Sequence, residues 1–540
     1  MAHEAEANSY ARARPSFIAQ RTRDLADFPV TSTPDKIERC LQELPKSLPQ
    51  EGLGLEATTN HLLDTISPAL APGQAGPRCF GLVIGGVAPP ALLADLLVTS
   101  FDPCVQVHWP KASASVALEE LALRYVLALL SLPREFSQNT FTTGATASNI
   151  LGLALGREFV VSRIKHEQGS KDWSVAEDGF GGVEVDVFIA DAHASIKKAA
   201  SLNGIGRRNV VEMGSKELEG KGYLVCFDLG ELERRLEENM EKGRGSIVVG
   251  SFGEVNTGAI NSDTPAIREL CDRYLAWLHI DAAFSAFAVL HPDYAPYTPH
   301  LALADSITVD AHKWLQAPYD AGLFFSRPRP FPSSAGSSAI ASSPVSLIKV
   351  TGPGSTVAAY LASSFTPADT AYPKLEASKA LPNPLFTNIE NSRRFRSLPV
   401  LATLLSLGKA GFSSLVQRNI AFARRVDTFL RLHPSYDVLT PALLTSSISD
   451  DPFLFRVSNI VLFAPSSAAP ARYREASEDN SDPAGTFLEA INGSNEIFCT
   501  PTVWRGRKAV RLAVSNWGTE LVEGKEWEVV QRVLERVMEE

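Results

Sequence analysis

From residue 115 onward the apolar positions follow two alternating rhythms. The stretch "SVALEELALRYVLALLSL" places them three or four residues apart, which predicts a long amphipathic or buried helix. Short β-rich runs then alternate with helical ones. "VDVFIAD" at 185–191, "GYLVCFD" at 222–228, "GSIVVGSF" at 245–252, "AWLHIDAA" at 276–283 and "ADSITVD" at 304–310 predict strands, and "LGELERRLEENMEKG" predicts an intervening helix. Strands separated by helices make βαβ units, so the expected fold class is α/β, a mostly parallel central sheet flanked by helices. Ligands of such sheets gather beyond the carboxyl ends of the strands.

The flanking regions keep other rhythms. Residues 1–105 predict helices near 34–44 and 55–66 and then "CFGLVIGGVAPPALLADLL", whose glycines and prolines suit either a site wall or a turn into a helix. Residues 106–400 form the expected large domain, interrupted at 326–390 by Pro-, Ser- and Ala-rich sequence that reads as a disordered insertion or a mobile flap. "SSAAPARYREASEDNSDPAG" reads as a surface loop. From 401 to 540, "SLPVLATLLSLGKAGF", "AFARRVDTFLRL", "VSNIVLFA", "AVRLAVSNW" and "EGKEWEVVQRVLERVMEE" predict a smaller C-terminal α/β domain.

Composition narrows the class of function. The 540 residues are 45% hydrophobic and 21% charged, enough for a large core, with a net charge of −10 and no Lys/Arg block. That balance argues against affinity for nucleic acid or an anionic membrane. "YLAWLHIDAAFSAFAVL" and "LALRYVLALLSL" are too polar or too short to span a bilayer, and the N-terminus shows no apolar signal core. The six cysteines, Cys40, Cys79, Cys104, Cys226, Cys271 and Cys499, are scattered without metal or disulfide spacing, so they are expected to be reduced in a cytoplasmic protein.

Four features fall where strands end or helices begin. Lys313, between His312 and Trp314 in "SITVDAHKWLQAP", is either a surface lysine or, if buried at the sheet mouth, an amine poised to attack an aldehyde. Asp281 ends the apolar "WLHID" and requires a partner there, a structural cation or cap on one reading and a protonated pyridine nitrogen on the other. In "FTTGATASNILGLALGRE", the amides of Gly144, Ala145 and Thr146 and the hydroxyls of Thr143, Thr146 and Ser148 suit an anion at a helix N-terminus, or plain capping. His193, in "ADAHASIKKAA", could cap the next helix or stack on a flat ring. A lysine, an acid, an anion loop and a stacking histidine together describe a pyridoxal phosphate site.

These residues resemble those of the group II pyridoxal-phosphate decarboxylases, which include the aromatic amino acid, glutamate and histidine enzymes. The resemblance spans roughly residues 75–520 through "TTGATASN", "DAHASIKKA", "HIDAAFSAF", "DAHKW", "NSRRFRSL" and "WRGRKAVRLAVSNW". It implies a fold-type-I transferase fold and a homodimer with shared sites, to which the N-terminal segment contributes. It further implies that Lys313 anchors the cofactor covalently and Asp281 pairs with its ring nitrogen. His193 would stack on the ring, Ala283 pack under it, Ala145, Thr146 and His312 bind phosphate, and Ser251 contact the cofactor. The implied activity is decarboxylation of an L-amino acid to an amine and CO2. The apolar "FGLVIGGVAPP" favours an aromatic or other bulky substrate.

One departure opens a second outcome. The family carries a loop tyrosine shortly before "RRFRSL"; here "ALPNPLFTNIENSRRFRSL" has Phe386 and no tyrosine, and Tyr372 lies farther upstream. In relatives, phenylalanine at that place goes with oxidative decarboxylation–deamination to an aldehyde. A non-catalytic scaffold on the same fold is a third expectation, against which the retained Lys313, Asp281 and His193 stand.

Overall fold

A computed structural model describes residues 18–109, 112–170, 172–214, 217–218, 222–223, 226–261, 263–330, 350–351, 381, 384–440, 457–474 and 481–539. Most of the expected 326–390 flap, Tyr372 included, lies outside the described residues, as does part of the polar stretch near 480. The described residues form two compact units. One takes those of Pro90–Gln417 and Pro441–Ser458, the other those of Met1–Pro89, Arg418–Thr440 and Asn459–Glu540.

The first unit is built on seven strands: β1 (Gln138–Thr142), β2 (Val185–Ile189), β3 (Val210–Glu212), β4 (Gly245–Ser251), β5 (Trp277–Asp281), β6 (Ser306–Asp310) and β7 (Gly322–Ser326). Their order across the sheet is β1-β7-β6-β5-β4-β2-β3. Neighbours from β6 through β3 pair in parallel, and β7 pairs antiparallel with both β6 and β1. The helices α1 (Ala145–Glu167), α2 (Ser195–Leu202), α3 (Leu229–Glu241) and α4 (Thr264–Arg273) alternate with these strands. The Asp228 side chain starts α3 by accepting the Glu231 amide at 3.1 Å, which satisfies one of the helix's unpaired donors.

Burial explains the sheet's apolar runs. β4, β6 and β7 are buried at every position, as expected of strands covered on both faces. Leu151, Leu155, Phe159 and Val160 of α1 share one core with Val187, Ile247, Val249, Trp277 and Phe324 of the sheet. Two glycines allow this close approach. A Cβ on Gly152 would stand 2.4 Å from the His279 ring, and one on Gly156 would stand 2.8 Å from Trp277.

Two predicted features change. Among the described residues of "GYLVCFD", Gly222–Tyr223 form a strand, paired with Glu217–Leu218 in a separate two-stranded ribbon, and Asp228 already belongs to the cap of α3. The sheet edge is instead Val210–Glu212, a segment too short to carry an alternation signal. β1 and β7 carry no alternation either; β7 is a continuous apolar run, and periodicity alone does not identify such a run as a strand.

Helix α5 (Ser397–Leu432) is long and apolar enough to cross a membrane by length and composition. Val400, Phe412, Val416, Ile420, Val426 and Leu430 are nevertheless buried in the protein, so its hydropathy includes that of a core helix. It is interrupted at Gly408, whose φ of 57° is a left-handed conformation that glycine adopts without a Cβ clash.

The second unit holds an antiparallel sheet of β8 (Tyr436–Val438), β9 (Ile460–Pro465), β10 (Thr500–Trp504) and β11 (Arg507–Ala513), ordered β8-β9-β11-β10. It carries helices α6 (Pro483–Asn492) and α7 (Lys525–Glu539). This grouping differs from a chain cut at 105 and 400, because the early segment is hydrogen-bonded to C-terminal backbone. Val30 donates to Asn495 at 2.9 Å, Phe80 to Phe498 at 2.8 Å, and Ala513 to Phe80 at 2.9 Å.

Candidate active site

Strand β6 ends at Asp310, and the chain then turns through Ala311 and His312 to Lys313. Lys313 is largely buried, with its side chain 17% exposed, and Nζ lies 3.4 Å from Asp310 Oδ2. The other Asp310 oxygen accepts the Ala145 amide at the start of α1, at 2.7 Å. His312 Nε2 stands 3.6 Å from Asp310, and its Nδ1 lies 3.2 Å from the Ala321 carbonyl oxygen. Burial pushes the His312 pKa down, with the Asp310 charge opposing. The flanking rings have partners of their own: His312 packs on Tyr319 with centroids 4.5 Å apart, and buried Trp314 stacks on Phe284 at 5.6 Å.

Asp281 closes the neighbouring strand β5. Its Oδ2 accepts from Asn149 Nδ2 at 2.9 Å, and its Oδ1 accepts the Ala283 amide at 3.1 Å. Ser251 is paired with Asp281 in the β4–β5 register, and Phe252 donates its amide to the Asp281 carbonyl at 2.8 Å. The Ala283 carbonyl in turn accepts the Asp310 amide at 3.2 Å. Backbone bonding thus joins Asp281, Ala283 and Ser251 to the Asp310–Lys313 turn.

His193 follows β2 and is exposed. Its Nδ1 accepts the Ser195 amide at 3.2 Å and meets the Ser195 hydroxyl at 2.8 Å, so it occupies one free amide at the start of α2 although the N-cap position itself is Ala194. Ser195 Oγ also accepts from Asn149 Nδ2 at 3.0 Å, which connects His193 to Asp281. Beneath Asn149 lies His279, fully buried, with Nε2 2.9 Å from Asn149 Oδ1 and Nδ1 2.8 Å from Ser306 Oγ.

Burial pushes the His279 pKa from 6.5 down to about 4, against the attraction of the Asp281 charge. The unfolded chain therefore binds this proton at a higher pH than the folded one. The stability due to the neutral ring is fully present above about 6.5 and is lost as pH falls toward about 4. Urea unfolding across that window is expected to show stability declining with acidification, with a shallower decline in His279→Gln.

The loop before α1 divides its donors. Ser148 is fully buried and bonds Thr142 Oγ1 at 2.7 Å and the Leu323 carbonyl at 3.1 Å, so it serves packing rather than an anion. The Ala145 amide is used by Asp310. Thr146 presents an amide and a hydroxyl with no hydrogen-bond partner among the described residues, at the positive end of a 23-residue helix. An anion seat, a primary amine and a carboxylate at the same edge of one sheet fit a phosphorylated pyridine aldehyde. Asp310, Asn149, Ser195 and His279 are joined to the site only by the fold, although all four stand inside the motifs "DAHKW", "TTGATASN", "DAHASIKKA" and "HIDAAF". Phe386, half-buried, ends the short turn Pro384–Phe386, and Thr351 Oγ1 donates to its carbonyl at 2.7 Å.

Known proteins carry the same arrangement of chain. A family model described as the pyridoxal-dependent decarboxylase conserved domain matches residues 37–330, more than half of the chain. Phenylacetaldehyde synthase of Arabidopsis thaliana is 23% identical over 537 residues, covering 97% of this chain and 94% of that protein. Tyrosine decarboxylase 4 of Petroselinum crispum is 22% identical over 533 residues, covering 97% and 92%. The crystal structure of Oryza sativa TDC with PLP and tryptamine shares the fold with a TM-score of 0.75 at 21% identity, over 99% of this chain and 98% of that one. The chain therefore belongs to the pyridoxal-dependent decarboxylase family, whose cofactor is pyridoxal phosphate.

Proposed function

We propose that the protein decarboxylates an L-amino acid with an aromatic or other bulky side chain, releasing CO2 and the amine. The observation that carries this reading is the linkage of Lys313, Asp281 and His193 at the carboxyl edge of one sheet, through Asp310, Ala283, Asn149 and Ser195. When bound, pyridoxal phosphate supplies an aldehyde carbon that captures the substrate amine and a protonated ring that withdraws electrons from the bond being broken. Lys313 Nζ would hold the aldehyde carbon, and its Asp310 neighbour would take up positive charge on the freed amine. Asp281 would hold the proton on the ring nitrogen. Thr146 and His312 would seat the phosphate, with Ala145, whose amide is taken by Asp310, only lining that seat; His193 would cover one ring face, Ala283 the other, and Ser251 would contact the cofactor. Trp314, the residue after Lys313, is buried and stacked on Phe284. The preference for a bulky substrate rests on the apolar run "FGLVIGGVAPP". In this reading the working assembly is a cytoplasmic homodimer.

A second reading, oxidative decarboxylation–deamination to an aldehyde, is favoured by Phe386 in a segment without tyrosine between residues 381 and 399. Its relatives include proteins named for both outcomes. Purified protein with pyridoxal phosphate would be offered proteinogenic amino acids and DOPA, with CO2, oxygen and peroxide recorded together. Amine equal to CO2 without oxygen uptake is expected. Peroxide and ammonia forming at the rate of CO2 release would replace the first reading by the second, and no CO2 from any substrate would remove both.

A further inference from the structure

The polar groups beneath the candidate site form one directed set of hydrogen bonds. A carboxylate only accepts, so the 2.9 Å contact with Asp281 Oδ2 requires Asn149 to present its NH2 there. The second hydrogen of that NH2 goes to Ser195 Oγ at 3.0 Å. Asn149 Oδ1 must then face His279 Nε2, at 2.9 Å, and that nitrogen carries the proton. The Thr308 hydroxyl, 3.4 Å from the same nitrogen, is the weaker competitor.

The far end of the set agrees. With Nε2 protonated, neutral His279 accepts at Nδ1 from the Ser306 hydroxyl at 2.8 Å. That hydroxyl's hydrogen is available because Trp277 Nε1, which only donates, gives its proton to Ser306 Oγ at 3.1 Å. On the other side, Ser195 Oγ accepts from Asn149, which leaves its hydrogen for His193 Nδ1 at 2.8 Å. The Ser195 amide also points to Nδ1, at a longer 3.2 Å, and so supports the same tautomer more weakly than the hydroxyl does. His193 is thereby left with its proton on Nε2.

We propose that Asn149 is a positioning residue, oriented by His279, that holds the Asp281 carboxylate and, through Ser195, keeps His193 in its Nε2–H tautomer. The consequence for chemistry rests on the function proposed above: one amide sets both the ring-nitrogen acid and the ring-covering histidine. The proton arrangement itself belongs to the apoprotein. Asn149 meets neither cofactor nor substrate in this scheme and acts through its two neighbours. The bulk of the network is buried, with Asn149, His279 and Ser306 at 0% exposure, so water does not substitute for a lost partner.

The test uses full-length apoprotein labelled with 15N only in histidine, with tautomers read from long-range proton–nitrogen correlations at pH 8 and His193 assigned by its loss in His193→Gln. Wild type is expected to show neutral Nε2–H rings at both His193 and His279. Ser195→Ala, a small change that leaves the Asn149–Asp281 bond in place, is expected to give His193 a mixture of tautomers. Asn149→Leu should do the same and lower kcat roughly 10- to 100-fold in holoenzyme, as loss of a supporting hydrogen bond does. His279→Phe should also disturb the His193 tautomer. His279→Gln, whose amide keeps one donor and one acceptor, should restore it. An Nδ1–H ring at His193 in wild type, or an unchanged tautomer in both Ser195→Ala and Asn149→Leu, overturns the proposal. If the tautomers are as expected while no amino acid loses CO2, the proton arrangement stands and the proposed function falls.

Discussion

Lys313→Ala is expected to reduce CO2 release roughly a thousandfold or more, the scale seen when a covalent nucleophile is removed. It is also expected to abolish the visible absorbance that distinguishes protein-linked from free pyridoxal phosphate. The reason is local. Lys313 is the amine at the turn after β6, held 3.4 Å from Asp310 and followed by buried Trp314, which stacks on Phe284. Charge and chemistry separate through Lys313→Arg, which keeps a cation opposite Asp310 but offers a weakly nucleophilic, permanently protonated group. The arginine variant should be nearly as inactive as the alanine one. Turnover within tenfold of wild type in Lys313→Arg would mean that Lys313 acts as a charge rather than as an anchor.

The second large effect is expected at Asp281. Asp281→Asn should lower kcat by about 10²- to 10⁴-fold, the range associated with a positioned acid–base group, with a smaller change in KM. An amide in that place does not hold a proton on a ring nitrogen. It also meets two donors, the Asn149 NH2 and the Ala283 amide, with only one accepting oxygen. The unmatched donor is expected to cost about 1–3 kcal/mol of stability, read by urea unfolding. Kinetics and unfolding measured on the same preparation separate the two contributions. A stability loss without a fall in kcat would assign Asp281 to structure alone.

Much of this site could be read along the chain. Strands β2, β4, β5 and β6 were expected within one or two residues of where they lie, because buried parallel strands write themselves as short apolar runs between helices. Lys313, Asp281 and His193 stood out as polar residues placed where those runs end. The short edge strand β3 and the antiparallel pair β1 and β7 did not stand out, since three- to five-residue segments carry too little periodicity. The compact unit joining residues near 30 and 80 to 495–513 was equally silent, because backbone pairing there is between segments more than four hundred residues apart in numbering.

What the chain by itself determined is which chemistry is present: an amine, a carboxylate, an imidazole and a helix N-terminus, each at the end of a recognisable element. What only the tertiary structure decided is how those groups are paired. Asn149 and Asp281 lie 132 residues apart, and Ala145 and Asp310 lie 165 apart. Local periodicity sets the face a residue occupies, but hydrogen-bond direction depends on which donors and acceptors meet across the packed sheet and helix. That is why Asp310 and Asn149, unremarkable in their motifs, turn out to join the groups that the motifs made conspicuous.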